Sequence, residues 1–300
     1  MKQMKGYFFI AIAATLWGAS ATIVKHLFNL QYPPLIIVQT RVSIAFIVLV
    51  IFFLVTDPRM LRFNMSDVPH FFLVGVCGIA GSNYFYYFAI KESNVATAIV
   101  VQYSAPIMVA LYAIVVQHEK MTRFKLLSLI FSTLGIFLAV GGLNGLLVAN
   151  HKGIVLALAA AVSYAIFNLA GKPLTKKYSV WSSLVFTLGA ATLFWLVVQP
   201  PRTILAAGYS FADWKIFALV STTSILVPYS FYFFGLQYLS PTRAIITSTL
   251  EPVVAIATEF IFLGGTMGLL QIVGAVFVIG SIILLETTSG FRQEVQGSRE

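Results

Sequence analysis

The amino-acid sequence has 300 residues, of which 59% are hydrophobic and only 10% are charged, and its mean hydropathy is +0.91. Soluble proteins carry about 25% charged residues, so this chain has too few polar side chains to cover a water-exposed surface. A disordered chain is also excluded, because disorder requires low hydrophobicity and high net charge. The composition therefore predicts an integral membrane protein.

Charge and cysteine content exclude several other functions. The 19 Lys and Arg residues outnumber the 10 Asp and Glu residues, but they are spread between apolar runs, whereas nucleic-acid binding requires a gathered basic patch. The single cysteine, Cys77, excludes an internal disulfide and a cysteine-based zinc cluster. No phosphate-binding loop ending in Gly-Lys-Ser/Thr and no His-Glu-x-x-His motif occurs, so we predict neither a cofactor nor a metal centre.

Ten apolar segments are long enough to cross a bilayer as helices, which takes about 20 residues each. Their apolar runs are continuous and do not alternate with period two, which favours helices over a barrel. In chain order the predicted spans are Tyr7–Leu27, Leu35–Val55, Val68–Ile90, Val95–Val116, Lys125–Gly142, Gly153–Ala170, Val180–Val198, Lys215–Tyr238, Thr242–Leu263 and Met267–Leu285.

The loop charges predict the orientation. With the N-terminus in the cytoplasm, 13 Lys and Arg residues lie on the inner side and 5 on the outer side, and Arg41 lies within a span. The positive-inside rule then predicts that both termini are cytoplasmic. The first span ends in Ala19-Ser20-Ala21, which is also typical of a signal-peptide cleavage site, but its place in the internal repeat favours a retained span.

The two halves of the sequence repeat with an offset of about 146 residues. Phe85-Tyr86 falls on Phe231-Tyr232, and Pro106 falls on Pro252. Because each half holds five spans, an odd number, the second half must be inverted relative to the first, as in transporters built from inverted repeats.

We therefore predict an all-α integral membrane protein whose ten transmembrane helices form two inverted five-helix repeats. The first repeat covers residues 1–146, the second covers 147–290, and 291–300 form a cytoplasmic tail.

Several short motifs in both halves match one transporter family. They are Trp17-Gly18, Arg41, Pro106 followed by Glu119, Glu251-Pro252, and the series Gln271, Gly274 and Gly280. In these features the chain resembles the EamA-type members of the drug/metabolite transporter superfamily over essentially its whole length. The resemblance implies ten helices, two EamA repeats and the transport, often export, of small organic solutes. Two positions depart from it: Gly264-Gly265 replace the usual Leu-Gly-Glu ending, and Tyr164 stands where tryptophan is commoner.

Glu251 is the sharpest candidate for chemistry, because an ionisable side chain inside a bilayer is costly. Pro252 follows it and lacks an N–H, so it weakens the helix locally, and Pro106 does the same in the fourth span. A carboxylate beside such a helix break could bind a cationic solute or take up a proton. The alternative role is a structural pair with Arg41 or with hydroxyl groups.

Arg41 and Glu259 are predicted to gate the site or to form an ion pair with each other. Arg41 could instead bind a substrate carboxylate through two parallel hydrogen bonds. Glu259, two turns beyond Glu251, could also reach the outer head groups.

The other candidates for substrate binding are aromatic or polar side chains near mid-span. They are Trp17, Tyr86, Gln102, Tyr164, Asn168, Tyr232 and Ser248. An aromatic-lined chamber with one carboxylate suits an aromatic amino acid, a nucleobase or a quaternary amine, the last by cation–π attraction. Core packing and interhelical hydrogen bonds are the alternative roles for these side chains.

Together these features predict a secondary transporter and not an enzyme. The resemblance implies that it exports small organic solutes, such as amino acids or related metabolites, across the cytoplasmic (inner) membrane. The inverted repeats predict alternating access, with protons as a candidate coupling ion. Uptake of a cationic or quaternary-amine solute and lipid flipping are the alternatives. The expected partners are the small-molecule substrate and the lipid bilayer, without nucleic acid, and the chain could act as a monomer or a homodimer.

Overall fold

A computed structural model describes residues 2–93, 95–142, 150–264 and 268–297, and every regular element within these ranges is helical. Ten long helical segments, numbered α1 to α10 in chain order, build the fold. They are α1 (Lys2–Asn29), α2 (Pro34–Thr56), α3 (Met65–Glu92), α4 (Val95–Gln102 and Ala105–Val115), α5 (Arg123–Ala139), α6 (His151–Lys177), α7 (Val180–Val198), α8 (Phe211–Tyr238), α9 (Pro241–Ser248 and Leu250–Leu263) and α10 (Leu269–Gly297).

Nine of these segments in the described ranges are long and apolar enough to cross a membrane, so the chain is an all-α membrane protein. The remaining segment, α5, has 17 residues. It begins after Thr122, whose hydroxyl accepts the Lys125 N–H as an N-cap, and it ends before Gly141 and Gly142, which have positive φ angles. A helix of this length is at the lower limit for a span, so the count of ten membrane spans stays a prediction.

Helix ends differ most from the predicted spans where polar residues continue a helix. α6 runs to Lys177, past the predicted end at Ala170, and α10 runs to Gly297, into the predicted cytoplasmic tail. The prediction stopped where apolar residues stop, but hydrogen bonding continues a helix through polar residues outside lipid. The predicted repeat boundary at 146/147, the predicted start of the last span at Met267 and the tail residues 298–300 lie outside the described ranges.

Two long helices contain a stretch of π-helix at equivalent positions. In α3 this stretch is Leu73–Ala80, and in α8 it is Thr222–Leu226. Adding the repeat offset of 146 to 73–80 gives 219–226, which includes the second stretch. Such π turns are uncommon and occur often at functional sites.

α4 and α9 are interrupted at equivalent positions too. The interruption in α4 begins at Tyr103 and the one in α9 is Thr249, and 103 plus 146 is 249. Each lies one turn before a proline, Pro106 or Pro252, whose missing N–H leaves the carbonyl four residues earlier without a helical partner. The two helices are therefore interrupted where these prolines predict that the helix is weakened.

α1 packs against α8 and α9 of the other half of the chain. A Cβ placed on Gly6 would lie 2.7 Å from Leu239 Cγ, and Trp17 bonds Ser224, so α1 and α8 are antiparallel. α1 and α9 are parallel, because Thr22 bonds Thr258 while the N-terminal Gln3 bonds Arg243.

α6 packs in the corresponding way against α3 and α4 of the first half. The ring of His70, near the start of α3, bonds the carbonyl of Ala170, near the end of α6, at 2.8 Å, so these helices are antiparallel. α6 is parallel to α8, since Tyr232 bonds Asn168 and Leu236 bonds Lys172. Because α8 is antiparallel to α1, the repeat-related helices α1 and α6 run in opposite directions.

Close backbone contact between glycines joins α5 to α10. A Cβ placed on Gly274 would lie 2.5 Å from the Gly135 carbonyl oxygen. This clash is with the backbone, so a change of side-chain rotamer cannot remove it. Small residues at such crossings let helix backbones approach within a membrane, where van der Waals packing replaces the hydrophobic effect.

Gly274→Ala should therefore destabilise the protein by about 1–3 kcal/mol, because the added methyl group overpacks the crossing. Gly280→Ala, in the same helix, is the matched control, since a Cβ at Gly280 meets nothing within 4 Å. Thermal unfolding of the purified variants in detergent measures both effects. Equal stability of the two variants would contradict the close α5–α10 crossing.

Candidate functional site

Glu251 lies where the interrupted helix α9 passes α1. A Cβ placed on Gly18 of α1 would lie 2.5 Å from the Glu251 carbonyl oxygen, so the two backbones are in direct contact. The Glu251 side chain is half-buried, it is hydrogen-bonded by Tyr103, and it interacts electrostatically with Arg41. A carboxylate at this depth needs such polar neighbours, because burial of an unpaired charge is costly.

Five tyrosines surround this carboxylate, and each of them interacts with it electrostatically. They are Tyr86, Tyr103, Tyr164, Tyr229 and Tyr232. They come from α3, α4, α6 and α8, so both halves of the chain contribute. Sequence analysis singled out three of them and missed Tyr103 and Tyr229.

Ring contacts join four of these tyrosines to Trp17 and Phe167, and we call these six residues together with Tyr86 the aromatic cluster. The Trp17 ring lies 5.0 Å from Tyr229 and 5.2 Å from Tyr232, measured between ring centroids. Phe167 lies 5.4 Å from Tyr229, and Tyr103 lies 6.4 Å from Tyr164. Aromatic pairs at these separations add stability beyond the area that they bury.

A proline explains how Trp17 is held. Its indole Nε1 donates to the Ser224 carbonyl oxygen at 3.0 Å, inside the π-helical stretch of α8. In a regular helix that carbonyl would accept the N–H of residue 228, but residue 228 is Pro228 and has none. The carbonyl is therefore left for the indole, and the ring is fixed against α8.

Four predicted binding residues use their polar atoms in hydrogen bonds inside the protein. The Tyr164 hydroxyl bonds Ser248 Oγ at 2.8 Å, and the Tyr232 hydroxyl donates to Asn168 Oδ1. Asn168 Nδ2 in turn donates to the Tyr164 carbonyl oxygen at 2.9 Å. Ser248, Tyr232 and Asn168 are fully buried, whereas Tyr164 remains half-buried. This network joins α6, α8 and α9 and fixes the rings, and a role of these residues in binding stays a prediction.

Gln102 and Tyr86 lie on the α4 and α3 side of the cluster. Gln102 Nε2 donates to Ser82 Oγ at 3.0 Å, which is an interhelical hydrogen bond. Both Gln102 and Tyr86 are half-buried, so part of each side chain stays accessible.

Arg41 approaches the cluster from α2. Its Nη2 donates to Asn83 Oδ1, and Asn83 also hydrogen-bonds Tyr229. The Nε of Arg41 is buried and has no hydrogen-bond partner among the described residues. Ser221 Oγ donates to the Arg41 carbonyl oxygen at 2.6 Å and ties α2 to α8. Asn83 was not identified from the sequence, where one amide in α3 carries no distinguishing signal.

The predicted ion pair between Arg41 and Glu259 is wrong. Glu259 pairs with Lys25, because α1 runs parallel to α9 and brings these two side chains to the same level. This pair is open to solvent, with side-chain exposures of 51% and 40%. Next to it, the hydroxyls of Thr22 and Thr258 lie 2.7 Å apart.

At the opposite ends of α1 and α9, a second polar cluster joins three segments. Glu119, after α4, pairs with Lys125 of α5 and accepts a hydrogen bond of 2.9 Å from Thr242 at the start of α9. Lys125 is buried, unlike the lysine of the opposite pair. Burial raises the pKa of Glu119, but the hydrogen bond and charge of Lys125 and the hydrogen bond of Thr242 outweigh it, so its pKa lies below the usual value of 4.5.

The described residues hold no group of three or more His, Cys, Asp or Glu side chains that could bind a metal ion. What the arrangement offers instead is one carboxylate, one guanidinium and a wall of aromatic rings between two halves of the chain. These groups have the charge and shape that recognition of a small solute requires.

Comparison with known proteins shows that the chain is similar to transporters. Residues 4–141 and 151–287 each match the model of the EamA-like transporter family. The threonine/homoserine exporter RhtA of Escherichia coli (strain K12) is 28% identical over 278 residues, which cover 91% of this chain and 86% of that protein. RhtA of Salmonella typhimurium (strain SL1344) is 26% identical over 96% of this chain and 92% of its own length.

Two further matches are more distant. The uncharacterized transporter YyaM of Bacillus subtilis (strain 168) is 19% identical over 97% of this chain and 95% of its own length. A protein crystal structure superposes with a TM-score of 0.72 and 16% identity, covering 94% of this chain and 96% of that one, which shows the fold alone.

Glu119→Gln should lower the stability of the protein near neutral pH by about 1–3 kcal/mol, because Lys125 loses its charged partner. A carboxyl whose pKa is lowered in the folded state stabilises the fold above its unfolded pKa. The difference from wild type should therefore shrink as the pH falls from 4.5 through the lowered pKa. Thermal unfolding in detergent at several pH values measures this.

The matched control is Glu259→Gln, whose pair with Lys25 is exposed, so that its loss should cost no more than about 0.5 kcal/mol. If Glu119→Gln were as stable as wild type near neutral pH, the cluster would not hold α4, α5 and α9 together.

Proposed function

Because the chain belongs to the EamA-like transporter family, we propose that it is a secondary transporter that exports amino acids or related metabolites. The observation that carries this proposal is the half-buried Glu251 carboxylate, enclosed by the aromatic cluster between the two halves of the chain. Small solutes bind near the midplane of such transporters, at the interface between repeats and beside interrupted helices.

The two halves would move by alternating access. The paired interruptions, the paired π stretches and the opposite directions of α1 and α6 support two inverted five-helix repeats, with residues 1–146 and 147–290 as the two units. In such a pair each half can adopt the conformation of the other, which opens the chamber to one side and then to the opposite side. The Glu119 cluster, which joins α4, α5 and α9 at one end, would then break and form as the chamber opens and closes on that side.

Amino-acid export is the activity that the names of the RhtA relatives state for those proteins, as threonine and homoserine exporters. At 28% identity the present chain shares the architecture, and its own site offers opposite charges of the kind that an amino acid carries. The names of its family and relatives indicate a transporter, and we propose no catalytic step.

Protons are the coupling ion that this site would accept most simply. Glu251 can be neutralised by a bound proton or by the ammonium group of a solute, but not by both at once. A proton entering from outside would therefore displace the solute, and the solute would displace the proton on the other side. Competition for one carboxylate produces exchange transport without any further coupling device.

Two alternatives from the sequence remain. Uptake of a quaternary amine is favoured by the aromatic rings around Glu251, which attract cations. Lipid flipping has less support, because Lys25, which could have met a lipid head group, is paired with Glu259. We place the protein in the cytoplasmic (inner) membrane with both termini in the cytoplasm, as monomer or homodimer.

Glu251→Gln should abolish transport driven by a pH gradient, because the amide keeps the shape of the side chain but cannot take up a proton. Proteoliposomes that contain the purified protein and radiolabelled L-threonine measure this flux with and without the gradient. Glu259→Gln is the control and should keep most of the wild-type flux, because the exposed pair that it breaks is worth little energy.

Unchanged gradient-driven flux in Glu251→Gln would remove Glu251 from the mechanism. Flux of choline without flux of any amino acid would favour the quaternary-amine alternative over the proposed function.

A further inference from the structure

We infer that the site takes a zwitterionic amino acid in one orientation, with its carboxylate on Arg41 and its ammonium group at Glu251. This inference rests on the proposed function and narrows it to one class of substrate. It also assigns to Arg41 a binding role in place of the predicted gating pair.

The first observation is that two opposite charges lie at the aromatic cluster and interact electrostatically without forming an ion pair. The structure has ion pairs at Lys25–Glu259, Lys125–Glu119 and Lys177–Asp67 among its described residues. Arg41 and Glu251 interact electrostatically, but no contact within 4.0 Å joins them in these ranges. A solute that carries both charges would pair with both side chains.

The second observation is the unused hydrogen-bonding capacity of the guanidinium. Asn83 takes one N–H through Nη2, and the buried Nε has no partner among the described residues. A buried polar group without a partner costs free energy, so a ligand that satisfies it gains affinity. The planar guanidinium matches the two oxygens of a carboxylate, and Asn83 keeps its plane fixed.

The position of Arg41 relative to Glu251 follows from a chain of contacts. Asn83 links Arg41 to Tyr229, and the Tyr229 ring lies 5.0 Å from Trp17. The residue after Trp17 is Gly18, whose backbone contacts that of Glu251. Tyr229 therefore interacts with both charged side chains, with Arg41 and with Glu251.

The rest of the aromatic cluster adds to the recognition of such a solute. Tyrosine and tryptophan rings attract an ammonium group through their faces and exclude water around it. The hydroxyls of Tyr164 and Tyr232 are held by Ser248 and Asn168, so the rings are positioned before a solute arrives. A quaternary amine without a carboxylate would leave Arg41 unpaired, and an anion without an ammonium group would leave Glu251 unpaired.

A competition experiment tests this orientation. Wild-type protein in proteoliposomes exchanges radiolabelled L-threonine in the presence of three competitors. These are unlabelled L-threonine, its carboxamide, which lacks the carboxylate, and 2,3-dihydroxybutyrate, which lacks the ammonium group. We expect each altered competitor to bind roughly tenfold or more weakly than threonine, since either one leaves a buried charge unpaired.

Two variants assign each charge to its residue. In Arg41→Gln the carboxamide should bind as well as threonine, while 2,3-dihydroxybutyrate should still bind more weakly. In Glu251→Gln, 2,3-dihydroxybutyrate should bind as well as threonine, while the carboxamide should still bind more weakly. A residue with only a structural role would weaken all three competitors together. Lys25→Gln, at the exposed pair, is the control and should keep both penalties, and size-exclusion chromatography verifies folding.

The outcomes distinguish a failure of the zwitterion orientation from a failure of the proposed function. Threonine exchange that does not distinguish the three competitors, or variants that lose both penalties together, would overturn the zwitterion orientation and leave amino-acid transport standing. Absence of threonine exchange, with no thermal stabilisation by any of the common amino acids, would overturn the proposed function as well.

Discussion

A carboxylate within a bilayer must be enclosed by protein groups that share its charge, and the structure around Glu251 satisfies this constraint. Tyr103 donates a hydrogen bond to it, Arg41 provides an opposite charge nearby, and four further tyrosines interact with it electrostatically. None of this would be possible in a regular helix that faced lipid. The interruption of α9 at Thr249 and the glycine contact of α1 place the residue where both halves of the chain can reach it.

The same contacts make each half of the chain depend on the other. α1 is packed into the second half, and α6 is packed into the first half, so neither half encloses the aromatic cluster alone.

The two ends of this arrangement differ in chemistry. One end has the exposed Lys25–Glu259 pair, and the other has a buried lysine paired with Glu119. Shifting Glu119 and Lys125 by 146 reaches Gly265 and Gln271, which carry no charge, so the Glu119 cluster has no ionic equivalent in the second half.

The sequence predicts the site in part, and the reason lies in what a linear pattern contains. Glu251 and Pro252 could be identified because a charge and a proline are rare within apolar runs, and Trp17 and Tyr164 because the repeat relates them. Partners of Arg41 and Glu259 could not be identified, because hydrophobic periodicity does not determine which helices are neighbours. Tyr103, Tyr229 and Phe167 were missed for a different reason: with 26 Phe and 13 Tyr residues, the composition alone does not distinguish wall residues from those that face lipid.

Thiol accessibility at residue 251 tests the central claim most directly, namely that Glu251 faces a chamber reached by water and by solute. Cys77 is the single cysteine, so Glu251→Cys is made in a Cys77→Ser background and exposed to a membrane-impermeant methanethiosulfonate reagent in proteoliposomes. We predict that the thiol is modified, that L-threonine protects it, and that Val276→Cys, at a residue 63% exposed in the middle of the apolar run of α10, stays unmodified in lipid. A thiol at residue 251 that is as unreactive as the one at residue 276 would contradict the account.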